Sequence, residues 1–138
     1  EIEAIAVLGT EKTVIRPDNV HDVSARYEHA IVAGDTIYLA GQVAADTDGN
    51  VVGHGDAEAQ AQQLYENMSR VLNAAGASLD DVVNTTTYMT NLQHREAVNA
   101  VRGEYGVTTA TNTSVVITSL ALPEYLLEVE AIAVVGDR

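Results

Sequence analysis

The 138-residue chain is 46% hydrophobic, contains no cysteine and carries four scattered histidines, so it can bury one domain-sized core but offers no disulfide, thiol nucleophile or thiolate metal site, and no histidine pair at ligand spacing. Twenty acidic against seven basic residues leave a net charge of −13, a field that repels phosphate backbones, argues against a nucleic-acid partner and favours solubility. No run of about 18 apolar residues could span a membrane and no basic-then-apolar signal segment stands at the front, which predicts a soluble, cytoplasmic protein with no membrane partner.

In chain order, the first feature is a duplication. The stretch Glu1-Ile-Glu-Ala-Ile-Ala-Val-Leu-Gly9 returns as Glu128-Val-Glu-Ala-Ile-Ala-Val-Val-Gly136, with seven of nine positions identical. Two accounts fit: the tail of a preceding tandem repeat, or a strand that pairs along a sheet edge. Residues 1–23 are accordingly assigned to an N-terminal extension holding a strand-like copy of the C-terminal motif, ahead of a domain over 24–138. Residues 29–42 set two β-rich runs around Gly34-Asp35 and predict a hairpin. Residues 46–55 are turn and loop, with at most a short strand at Val51-Val52.

At Asp56 the period changes. Ala57, Ala61, Leu64, Met68, Val71, Leu72 and Ala75 mark one face of a helix that Asp56 can cap and Gly76 can end. Residues 82–89 are rich in β-branched side chains and predict a strand. A second helix over about 93–104 turns Ala97, Val98 and Val101 inward, and strands over 113–119 and 126–135 close the set. The order strand, strand, helix, strand, helix, strand, strand predicts an α+β fold, a mixed sheet with two helices packed on one face. The other face then needs a cover, for which a second subunit is the natural candidate.

Seven short signatures stand in a telling order: Tyr27-Glu-His-Ala30, Ile37-Tyr-Leu-Ala-Gly-Gln42, Gln60-Ala-Gln-Gln-Leu-Tyr-Glu-Asn67, Val71-Leu-Asn-Ala-Ala-Gly76, Asp81-Val-Val-Asn-Thr-Thr-Thr-Tyr88, Val98-Asn99 and Glu128-Val-Glu-Ala-Ile-Ala133. Together they resemble the RidA/YjgF family of reactive-intermediate deaminases. The resemblance implies a homotrimer of chorismate-mutase-like subunits with a small-molecule pocket at each subunit interface. It further implies hydrolysis of a small enamine or imine to a carbonyl compound and ammonia, with no metal or organic cofactor. In the family pattern the pocket tyrosine matches Tyr27, a Ser-Gly pair ends at Gly41, an asparagine matches Asn99 and a catalytic glutamate matches Glu128.

The chain departs from that pattern where the family carries an arginine that grips a substrate carboxylate: the segment here reads Ala110-Thr-Asn112, with Asn112 in the arginine's place. Ala40 replaces the serine before Gly41, and Ser114 stands where many members have cysteine. An asparagine amide offers neither the charge nor the two-pronged donor of a guanidinium, so the pocket is expected to take an atypical substrate. On residue pattern alone Glu128 is an outward-facing strand residue, Tyr27 either a pocket phenol or a plain interface aromatic, and Asn112 either a hydrogen-bond partner for a neutral ligand or a turn-friendly loop residue. Asn99 inside a helix suits a polar role. Three functions are weighed: a deaminase that holds its substrate without the arginine, for instance through the Gly41 amide; a binding trimer that has lost the chemistry; and an endoribonuclease, which the acidic surface opposes.

Overall fold

A computed structural model describes residues 1–136, so the last two residues of the expected domain lie outside the described part. The first strand, β1 (Lys12–Ile15), falls inside the stretch assigned above to an extension, and pairs antiparallel with β2 (Ala30–Ala33). Val20 is buried in the core as well, so the folded unit begins ahead of residue 24. Residues 1–9, by contrast, form no strand. The first copy of the nonapeptide thus pairs with no strand of the sheet.

The predicted hairpin is present: β2 pairs with β3 (Thr36–Gln42) across Gly34, whose φ of 65° only glycine adopts without strain. Helix α1 (Ala57–Ala74) starts where the Asp56 carboxylate accepts the Ala59 N–H at 3.0 Å. It stops in a Schellman motif, with Ala77 N–H on Leu72 O, Gly76 N–H on Asn73 O, and Gly76 at φ 77°. Its stripe of Ala61, Leu64, Met68, Val71 and Leu72 is fully buried, each large member contributing roughly 1.5–3 kcal/mol. Gln60 and Asn67 lie buried on the same helix and fasten loops. Gln60 bonds Gly53 O, Glu124 O and the Leu126 N–H, and Asn67 donates to Val43 O and Ala45 O.

Strand β4 (Val82–Met89) follows as expected. The second helix, α2 (Arg95–Glu104), begins two residues later than predicted, because a 3-10 turn at Leu92–His94 precedes it; Val98 and Val101 face inward while Ala97 is half-buried. β5 (Thr111–Val116) starts two residues early and ends three early, which puts Asn112 inside a strand and not in the expected loop. Val51 makes only a single bridge to Ala45. β6 (Leu127–Val134) completes a six-stranded sheet in the order β1-β2-β3-β6-β4-β5, antiparallel except for the β4–β5 pair.

The alternation in β6 divides the faces. Leu127, Val129, Ala131 and Ala133 are buried under the helices, whereas Glu128, Glu130 and Ile132 point to the opposite, helix-free face. Residues 3–7 lie over that open face, and a cleft of about 920 Å³ between them and the sheet is lined by Tyr38, Asn84, Tyr88 and Glu130. The edge strand β5 is exposed at every position.

Candidate functional site

Between Leu39 and Gln42 the pairing of β3 with β6 slips by one residue. This bulge brings the Gly41 backbone against the Glu128 side chain. A Cβ at position 41 would stand 2.6 Å from the Glu128 carboxyl carbon and 2.9 Å from its Cγ, closer than real atoms approach. A side chain here would push the Glu128 carboxyl end aside, a constraint set by the close passage and not by backbone dihedrals. The Glu128 carboxylate makes no hydrogen bond or ion pair among the described residues, and burial, with the neighbouring Glu130 adding to it, holds its pKa above the usual carboxylate range.

Tyr27 stands close by, 46% exposed. Burial raises its phenol pKa, and the Glu128 charge adds to the rise while Arg26 opposes it. Tyr125, on the loop into β6, is only 6% exposed and couples electrostatically to Tyr27. It belongs to the same cluster, and sequence reasoning passed over it. The usable signal was composition: all six aromatics of this chain are tyrosines, so a tyrosine just ahead of the Glu128 strand merited weight. Two residues beyond Glu128 on the same face, Glu130 accepts the Tyr88 hydroxyl at 3.0 Å and is thereby tied down.

Asn112 and Ser114 form a second group elsewhere. In the register of β5 against β4, Asn112 lies opposite Thr85 and Ser114 opposite Thr87, on the helix side of the sheet. The Asn112 Oδ1 accepts both the Thr85 and Thr87 hydroxyls, at 2.9 and 3.0 Å, and its Nδ2 donates to Ser114 Oγ at 2.9 Å. Its amide is thus fixed in orientation. These two residues line a groove of about 350 Å³ with Met89, Leu92, Arg95 and Val116. Arg95 was not among the predicted site residues, since nothing in its local pattern separates it from a solvated helix position.

Asn99 joins neither group: it is exposed on α2 and its side chain has no hydrogen bond among the described residues. Glu128, Gly41 and Tyr27 gather at the open side of the sheet, Asn112 and Ser114 at the helix side of its β5 edge, with β4 between β6 and β5. Within one chain the two groups cannot reach a common small molecule. Among the described residues no group of three or more histidine, aspartate or glutamate side chains could hold a metal ion, and no helix is long and apolar enough to cross a membrane.

Comparison with known proteins agrees with this fold. The family model described as Endoribonuclease L-PSP matches residues 18–135. A RutC family protein of Pyrococcus horikoshii is 34% identical over 123 residues, 88% of this chain and 97% of the relative. The crystal structure of a Rid-family protein of unknown function from Yersinia pestis superposes with a TM-score of 0.84 at 31% identity, covering 91% of this chain and all of that one. Escherichia coli TdcF, crystallised with bound serine, superposes at a TM-score of 0.81 with 26% identity, over 90% of this chain and 99% of that chain.

Proposed function

The chain belongs to the RidA/YjgF family, and from that premise we propose that it hydrolyses a small enamine or imine to a carbonyl compound and ammonia, at a site shared between subunits of a homotrimer. The observation that carries this reading is the Glu128 carboxyl, half-buried, unpaired and seated on Gly41 beside Tyr27. A carboxyl whose pKa is raised toward the working pH can both accept and return a proton.

In the proposed reaction water adds to the carbon of the protonated imine, C=NH2+, as one of its protons passes to Glu128, and the π pair moves to nitrogen. Glu128 then gives the proton to that nitrogen, the C–N bond breaks, ammonia leaves, and loss of the hydroxyl proton leaves C=O. An enamine reaches the same iminium by taking a proton on carbon, and a neutral imine by taking one on nitrogen. In this proposal the Gly41 N–H and the Tyr27 hydroxyl, beside Glu128, serve as neutral donors to the developing charge.

The split between the two residue groups supports the shared site. A second copy that sets its exposed β5 edge beside the Glu128 end of this sheet would unite them. An RNA-cleaving role is the weaker reading, because a net charge of −13 opposes a polyanion. Freshly generated 2-aminoacrylate and larger 2-imino acids, followed by ammonia release with light scattering of the same sample, test the proposal. Release above background that disappears in Glu128→Gln is expected, and a flat trace from a folded trimer on every imine and enamine offered would refute it.

A further inference from the structure

The family arginine is absent at position 112, yet the groove around Asn112 does not lack a cation. Arg95, the first residue of α2, lines it with Met89, Leu92, Asn112, Ser114 and Val116. We propose that Arg95 is the residue with which this chain binds the carboxylate of a short aliphatic 2-imino or 2-enamino acid, an assignment that rests on the deaminase reading above.

The other described arginines are engaged or misplaced for this task. Arg16 pairs with Glu28, Arg70 with Glu66, and Arg102 donates to the Ala110 carbonyl. Arg26 stands beside Tyr27, at the other residue group. Arg95 alone of the described arginines borders Asn112, and it makes no hydrogen bond or ion pair among the described residues. In a chain with 20 acidic residues, a guanidinium left without a carboxylate is a donor held in reserve, and no acidic side chain lines the groove to compete for it.

The remaining walls suit the same ligand. The Asn112 oxygen is saturated by Thr85 and Thr87, so the amide presents only N–H toward the groove, and its bond to Ser114 Oγ leaves the hydroxyl proton of Ser114 free to donate. A carboxylate there meets donors alone: the two-pronged guanidinium, an amide N–H and a hydroxyl. Met89, Leu92 and Val116 supply an apolar wall for a short alkyl chain. The volume of about 350 Å³ lies at the small end of ligand pockets. Asn112 thus serves as a scaffold, and the charge it lacks arrives from the start of α2.

Binding of 2-oxobutyrate, which carries the carboxylate of the hydrolysis product, and of its uncharged methyl ester is measured by calorimetry on the full chain, its Arg95→Gln variant and its Arg95→Lys variant. Arg95→Gln is expected to weaken 2-oxobutyrate by roughly 10- to 100-fold, the loss of one charged hydrogen-bonded contact. It should leave the ester unchanged, with Arg95→Lys in between. Equal affinity of Arg95→Gln and the parent chain for 2-oxobutyrate, no preference of the parent for acid over ester, or no binding of either compound would overturn the assignment. A merely structural role for Arg95 would weaken both compounds alike. Because the readout is binding, a chain that holds 2-oxobutyrate through Arg95 yet releases no ammonia sinks the deaminase reading alone, and one that releases ammonia equally well without Arg95 sinks this assignment alone.

Discussion

Replacing Gly41 with alanine perturbs the proposed reaction through one atom. The new Cβ would fall 2.6 Å from the Glu128 carboxyl carbon. To regain ordinary contact at 3.4 Å, that carbon must retreat by about 0.8 Å, and the nearer oxygen by more. Displacing a catalytic group by about 1 Å costs on the order of 100-fold in rate. The fold should scarcely register the change, because the obstructing atoms are the far end of a flexible side chain and Gly41 is not among the positive-φ glycines. Restricting the unfolded chain even returns about 0.4–1 kcal/mol. Ammonia release from a fresh 2-imino acid is measured alongside thermal unfolding, in the parent, Gly41→Ala, Glu128→Gln and the double variant. The expected pattern is a fall of about 100-fold at nearly unchanged melting temperature, with no further loss when Gly41→Ala is added to Glu128→Gln. Parent-like turnover from a folded Gly41→Ala protein would refute the placement of Glu128.

Glu128→Gln should also stabilise the fold near neutrality: burial holds the native carboxyl above its unfolded value, so the contribution of the protonated form is complete below about pH 4 and lost as pH rises through the raised native value. Urea unfolding at several pH values should show the gain vanish in acid; a gain that persists there would contradict it. Asn112→Ala removes the acceptor of two threonine hydroxyls on buried residues and should cost about 1–3 kcal/mol in denaturant unfolding, and an unchanged midpoint would show that the hydroxyls find other partners. If each site draws one half from each of two subunits, mixing Glu128→Gln and Arg95→Gln chains, dissociated and reassembled in equal amounts, should restore roughly a quarter of the parent activity at a random combination of halves. A site contained within one chain would restore none.

The long, periodic elements were legible in the residues. The α1 stripe, its Asp56 cap and Gly76 stop, the Gly34 hairpin and the alternation of β6 each express a local rule that the tertiary structure merely confirms. β1 was not legible, because Lys12-Thr-Val-Ile15 is four residues long, almost fully exposed and without alternation; only its pairing with β2 makes it a strand. The nonapeptide at residues 1–9 misled in the opposite direction. Its sequence is nearly that of β6, but β6 is a strand because β3 and β4 flank it on both sides, whereas the copy pairs with no strand. β-structure of this kind lies in the partners more than in the segment.

The candidate site divides along the same line. Glu128 and Gly41 were found through motif resemblance, and their physical relation, a bulge that presses a glycine against a carboxylate, is invisible until β3 and β6 are paired. Asn112 was read as a loss, the place where a charge is missing. Its register against Thr85 and Thr87 turns it into a fixed scaffold and brings Arg95, 17 positions earlier in the sequence, to the same groove. Position-by-position comparison registers the missing arginine but not the one supplied from another element. What the groove binds depends on where charge stands in space, and a guanidinium on α2 can meet the same carboxylate as one on β5 while leaving no trace in the β5 motif.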